Sequence, residues 1–144
     1  MTREERIELS SARLDKAYQM LTAGRIMLQY EDYASACNRL YYAVFHAMRA
    51  VLALDEIDEH KHSHLISEFR RRYLKTNILD RSLSDTIGSS FQIRNESDYE
   101  DNWIISKSDV IEQEQKVTDF LIAIEEHVRE RGVVRRDTRS IHHL

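Results

Sequence analysis

A chain of 144 residues with no proline and only three glycines lacks the residues from which tight turns are built. A sheet of many short strands joined by hairpins is therefore excluded at the outset, and helix is what remains. Hydrophobic residues make up 42% of the sequence against 32% charged, the balance expected of helices with one face inward and one in water. The length suits a single domain with a real core. A net charge of −4 excludes wholesale attraction to nucleic acid or to an anionic membrane, so any RNA contact has to be local. No run is long and apolar enough to cross a bilayer, which predicts no membrane partner. Met1-Thr2-Arg3-Glu4-Glu5 is too charged to open a signal peptide. Cys37, alone in an apolar stretch, reads as a small buried hydrophobe. Together these features predict a cytoplasmic protein.

Capping signals and periodicity divide the chain into helices. Thr2 followed by Glu5 has capping-box spacing, and Ile7, Leu14, Ala17, Leu21, Ala23 and Ile26 carry a helical repeat to Tyr30. Asp32 can cap a second helix from Tyr33 through Leu54, apolar on nearly all sides and hence central. After the acidic loop Asp55–Glu59, Ser63 is the expected cap of a short third helix whose outer face carries Arg70, Arg71, Arg72 and Lys75. Asp80 is expected to start a fourth helix, and Ser106 with Asp109 to cap a fifth, in which Val110, Val117, Leu121, Ile124 and Val128 step by sevens and fours like a coiled-coil seam. Periodicity ends at Gly132. The prediction is an all-α, antiparallel bundle of four to five helices over residues 1–131, with a mobile basic tail over residues 132–144 that contains Arg135, Arg136 and Arg139.

The fourth helix holds the most informative anomaly. Leu83, Ile87 and Phe91 recur at a spacing of four, and at roughly 100° per residue Arg94 and Asp98 continue their face. An always-charged guanidinium on an inward stripe needs an anionic partner, because a buried unpaired charge costs about 3–5 kcal/mol. Asp98 is one such partner, which would make the pair structural; a phosphate is the other. The apolar stripe around Arg94 also predicts a seam between two copies of the chain.

Three blocks carry a family likeness: Tyr41-Tyr42-Ala43-Val44-Phe45-His46-Ala47, then Lys61-His62-Ser63-His64-Leu65, then Arg94-x-x-x-Asp98-Tyr99. In this order and spacing they resemble the small prokaryotic HEPN proteins, in the branch whose signature is Arg-x-x-x-Asp-Tyr. The resemblance implies a helical homodimer with its Arg-bearing segments near the two-fold axis, forming a shared cleft. It further implies a metal-independent endoribonuclease without cofactor, acting as a toxin or antiviral effector beside a minimal nucleotidyltransferase antitoxin. In nuclease members an Arg and a polar neighbour precede a His. Arg94 and Asn95 match the start of that pattern, and Asp98 and Tyr99 stand where the His is expected. Some relatives accept adenylyl groups on a Tyr near the motif, which makes Tyr99 a possible modification site; the ordinary alternative is a packing residue with a bonded hydroxyl.

Metal-free RNA cleavage needs an activated 2′-hydroxyl, a stabilised phosphorane and a protonated leaving oxygen. Arg94 suits the second task, since its planar fork can hold two phosphate oxygens, and Asn95 can orient a phosphate or ribose. Asp98 beside a cation is a weak base, and Tyr99 titrates too high for easy proton transfer. On the second helix, Ser35, Asn38, Arg39, Tyr42, His46 and Arg49 form a polar stripe. If it faces the cleft, His46 supplies an imidazole and Arg39 a second phosphate contact; if not, it is the solvent edge of a central helix. His60, His62 and His64 do not form a recognisable ligand set and read as capping and local hydrogen bonding, so no metal is predicted. The basic runs read as solvated faces. The competing functional reading is a non-catalytic HEPN module that binds a nucleotide, RNA or a nucleotidyltransferase.

Overall fold

A computed structural model describes residues 1–99 and 105–136, with Asp98 and Tyr99 described as helix backbone only. The chain forms α1 (Arg3–Gln29), α2 (Tyr33–Ala53), α3 (His62–Phe69), which runs into a π-helical turn (Arg70–Leu74), α4 (Leu83–Tyr99) and α5 (Lys107–Glu130). The architecture is all-helical among the described residues, as the lack of turn formers requires.

Local chemistry sets most of the boundaries. Thr2 closes the capping box on α1, its hydroxyl accepting from the Glu5 amide at 3.1 Å while the Glu5 carboxylate accepts from the Thr2 amide at 3.2 Å. Asp32 caps α2 by accepting from the Ser35 amide at 3.2 Å, and Ser106 caps α5 by accepting from the Asp109 amide at 3.1 Å. Two expectations shift. Helix α3 begins at His62 behind Lys61, which makes no side-chain cap bond, so Ser63 lies inside the helix. Asp80 precedes α4 by a turn: its carboxylate accepts from the Ser82 amide at 2.9 Å, and the helix proper starts at Leu83.

Packing is centred on α2, whose Ala36, Leu40, Ala43, Val44, Ala47, Ala50 and Val51 are buried. Small residues on this helix let α1 approach closely. A Cβ at Gly24 of α1 would stand 3.0 Å from the Leu40 side chain, which is why glycine sits there despite its low helix propensity. The α5 seam behaves as its spacing predicts: Val110, Val117, Leu121, Ile124 and Val128 are all 0% exposed. Arg25 of α1 ties to Glu114 at 2.6 Å and to Thr118 at 3.0 Å, fixing α1 against α5. On α4 the apolar stripe fades along its length. Leu83 and Ile87 are buried, but Phe91 is 40% exposed and Arg94 is half-buried.

The first residues after α5 lie against the bundle. Gly132 takes φ +95°, the left-handed position that ends many helices, and the Val133 amide bonds back to the Val128 carbonyl at 2.9 Å. Val133 joins the core. Arg135 is only 5% exposed, its guanidinium 3.6 Å from the centre of the Tyr18 ring and 3.5 Å from the Asp15 carboxylate. Arg136 pairs with Glu8. Residues 132–136 thus strap onto α1, because a guanidinium over an aromatic face with a nearby carboxylate is held on two sides. Arg139 and the remainder of the expected tail lie outside the described residues.

Candidate functional site

Arg94 meets α2 through two tyrosines. Its Cζ lies 4.7 Å from the centre of the Tyr41 ring and 5.4 Å from that of Tyr42, and Nη2 approaches the Tyr42 hydroxyl oxygen at 3.5 Å, the outer limit of a hydrogen bond. Consecutive residues on α2 turn through roughly 100°, so the two rings meet edge to face, 5.1 Å apart and inclined at 83°, and embrace the guanidinium from two sides. Arg94, one of the two charges that the sequence assigns to the inward face of α4, is therefore directed at α2.

His62, the first residue of α3, completes the cluster. Tyr41 Oη and His62 Nδ1 are 2.5 Å apart, and the imidazole packs against Tyr41, Phe45 and Tyr42 with ring centres at 5.7, 4.2 and 6.0 Å. Burial, then the positive charges of Arg94 and Arg49, hold the His62 pKa below its ordinary value. Burial pushes the Tyr41 hydroxyl up to about 12, against the opposing pull of Arg94. Both groups are therefore neutral near pH 7. The three histidines of the 60–64 run go to separate partners: His60 lies 4.0 Å from Asp58, His64 lies 3.8 Å from Glu59, and His62 joins Tyr41.

The polar stripe of α2 is neither fully buried nor a solvent edge: Ser35, Asn38, Arg39, Tyr42, His46 and Arg49 are each half-buried. Its two ends differ. Arg39 donates to Asn38 at 3.0 Å, one turn before Tyr42. His46 lies beside Tyr42 and Phe45, in a cationic corner where Arg49 and Arg13 converge on Asp58 at 3.2 and 3.0 Å. Burial, then Arg49, Lys16, Arg13 and His62, push the His46 pKa down to about 4. Asn95 follows Arg94 on α4 and is exposed. The side chains of Asp98 and Tyr99 lie outside the described residues, so the sequence's ion-pair and modification readings of them do too.

A depressed histidine pKa has a consequence for stability. The unfolded chain takes up a proton on His46 near its ordinary 6.5, which the folded protein refuses until about 4. The stabilising contribution is complete above the unfolded value and is lost as pH falls through this window. His62 and His127 shift in the same direction and share the loss. Urea titrations are expected to show stability declining from pH 6.5 toward 4, with the decline shallower in His46→Gln.

The sequence gives His62 a capping and local hydrogen-bonding role, whereas its partner in the structure is the distant Tyr41. The signal was present in the aromatic run Tyr41-Tyr42, whose hydroxyls need partners on a buried helix, and in the Lys61-His62-Ser63 block.

The comparisons agree with the architecture. The sequence profile of the HEPN domain matches residues 10–129, and the chain belongs to the HEPN domain family. A candidate toxin of Methanocaldococcus jannaschii is 32% identical over 96 residues, which span 67% of this chain and 65% of that protein. A UPF0332 protein of Thermotoga maritima is 29% identical over 115 residues, covering 80% of this chain and 87% of its own. A second candidate toxin of M. jannaschii is 27% identical over 88 residues, 61% of this chain and 66% of its own. The matches span just under two thirds of the length of the two M. jannaschii proteins. No helix among the described residues is long and apolar enough to cross a membrane.

Proposed function

We propose that this HEPN protein is a metal-independent endoribonuclease that acts as a toxin or defence effector, binding RNA around Arg94 in a cleft shared by two copies of the chain. The observation that carries the reading is the Arg94 guanidinium set against the Tyr41 and Tyr42 rings at 4.7 and 5.4 Å with an imidazole on the same tyrosine pair. A planar cation can hold two phosphate oxygens, and the half-buried Tyr42 ring is of the type on which bases stack. Arg39 and Asn95 flank this point on α2 and α4 as secondary contacts. Asp98, Tyr99 and His46 are the further catalytic candidates from the sequence, with Tyr99 also a modification site for a nucleotidyltransferase antitoxin. The toxin names of the M. jannaschii relatives support the biological role.

The alternative is a non-catalytic HEPN module that binds a nucleotide, RNA or a nucleotidyltransferase. The motif favours it at one point: Asp98 and Tyr99 occupy the place of the expected histidine. Total RNA incubated with the purified chain in excess chelator separates the two. Discrete fragments are expected from the endoribonuclease; intact RNA at every protein concentration would abandon it in favour of the binding module.

A further inference from the structure

We infer that His62 is the proton-transfer residue of this site, its Nε2 accepting the 2′-hydroxyl proton of RNA while Tyr41 fixes the ring through Nδ1. The inference rests on the ribonuclease reading and assigns within it the imidazole that the Arg94 motif lacks.

Three observations carry it. First, Arg94 and His62 share the same two tyrosines. The guanidinium carbon is 4.7 and 5.4 Å from the Tyr41 and Tyr42 ring centres, and the imidazole centre is 5.7 and 6.0 Å from them. One phosphodiester with its adjoining ribose can reach both. Second, the Tyr41 contact at 2.5 Å engages Nδ1, leaving Nε2 as the nitrogen open to a ligand. In the tautomer where Nδ1–H donates to the Tyr41 oxygen, Nε2 holds a free lone pair, and the ring keeps that donor bond as it becomes imidazolium. Third, the ring is half-buried, so it is both held and reachable. His46 is a poorer choice, since its surrounding cations are Arg49, Lys16 and Arg13 rather than the guanidinium of the motif.

The reaction balances without a metal. The 2′-hydroxyl proton moves to Nε2 as the oxygen attacks phosphorus, and the O2′–P bond forms. Arg94 stabilises the added negative charge of the phosphorane. The P–O5′ bond then breaks, the 5′-oxygen takes a proton from solvent, and imidazolium returns its proton to water. The products are a 2′,3′-cyclic phosphate and a 5′-hydroxyl end.

The titratable and charged groups around the imidazole are Arg94 from α4 and Tyr41, Tyr42, His46 and Arg49 from α2. With burial first and then both cations depressing its pKa, the rate should rise with pH along an acid limb and then level off as the ring becomes neutral.

The test uses the full chain with a short fluorogenic RNA. His62→Ala is expected to lower cleavage by about 10²–10⁴-fold, to abolish the acid limb, and to be partly restored by added imidazole. Its affinity for a 2′-O-methyl oligonucleotide, which lacks the attacking hydroxyl, should match wild type. Tyr41→Phe, which removes the hydroxyl that fixes the ring, should lower cleavage less than His62→Ala does and move the acid limb. If His62→Ala cleaves as wild type does, or loses cleavage without imidazole rescue in a variant with unchanged melting and oligonucleotide affinity, the assignment is overturned while the ribonuclease reading stands. Failure of the wild-type chain to cleave any RNA removes both.

Discussion

Replacing Arg94 by alanine is expected to reduce RNA cleavage by about 10²–10³-fold, the usual loss when a preorganised group facing developing negative charge is removed. Arg94→Lys is expected to recover only a minor part. In the proposed site the guanidinium offers a planar fork as well as a charge, with its carbon 4.7 Å from the Tyr41 ring centre. An ammonium is a compact, strongly hydrated point charge that can neither stack in that slot nor grip two oxygens at once. Because the side chain is half-buried near the end of α4, truncation should leave the core intact. Melting temperature and helical circular dichroism close to wild type would separate loss of chemistry from loss of fold. If the lysine variant were as active as wild type, positive charge alone would suffice and the planar fork would be incidental.

The largest expected loss of stability is at Phe120. Its side chain is 0% exposed, lies on α5 beside the seam residue Leu121, and meets the Phe69 ring at 6.1 Å and 42°. Phe120→Ala removes this buried area and leaves a cavity lined by helices that are anchored elsewhere. Those anchors include the Asp55, Tyr73 and Arg131 network, in which Arg131 reaches Asp55 at 3.1 Å and the Tyr73 hydroxyl at 2.9 Å. Such a frame limits collapse, so the cost should reach about 3–5 kcal/mol. A domain of this kind has about 5–15 kcal/mol in all. Urea denaturation is expected to show a much lower midpoint at an unchanged slope.

The parts of the fold that depend on neighbours in sequence were legible. Thr2, Asp32 and Ser106 cap because each needs only an amide three residues away, and the α5 seam follows from its own spacing. What depended on distant partners was not. Ser10 and Ser11 are buried in α1 although both are polar, and Ser11 donates to the Val134 carbonyl at 2.7 Å, a contact between opposite ends of the chain. The π-helical turn, closed by the Lys75 amide on the Arg70 carbonyl at 2.9 Å, has no local pattern to announce it. Arg135 reads as a tail charge until Tyr18 and Asp15 are brought beside it.

The same distinction runs through the site. Arg94 was conspicuous because a charge interrupts an apolar repeat, and its inward direction followed from helical geometry alone. Phe91, on the same repeat, is partly exposed although its ring centre lies 6.2 Å from that of Tyr41. His62 reads from sequence as capping and local hydrogen bonding because the Tyr41 hydroxyl that engages it lies 21 residues earlier in the chain and reaches it only when α2 and α3 have packed.

Everything functional here depends on the Arg94 guanidinium recognising phosphate, whether or not a bond is then broken. The direct measurement is equilibrium binding of a fluorescent 2′-O-methyl oligonucleotide to wild type and to Arg94→Ala at fixed salt. Loss of a charge-assisted contact of about 1.5–3 kcal/mol predicts an affinity lower by roughly 10–100-fold. Equal affinities for the two proteins would contradict the account.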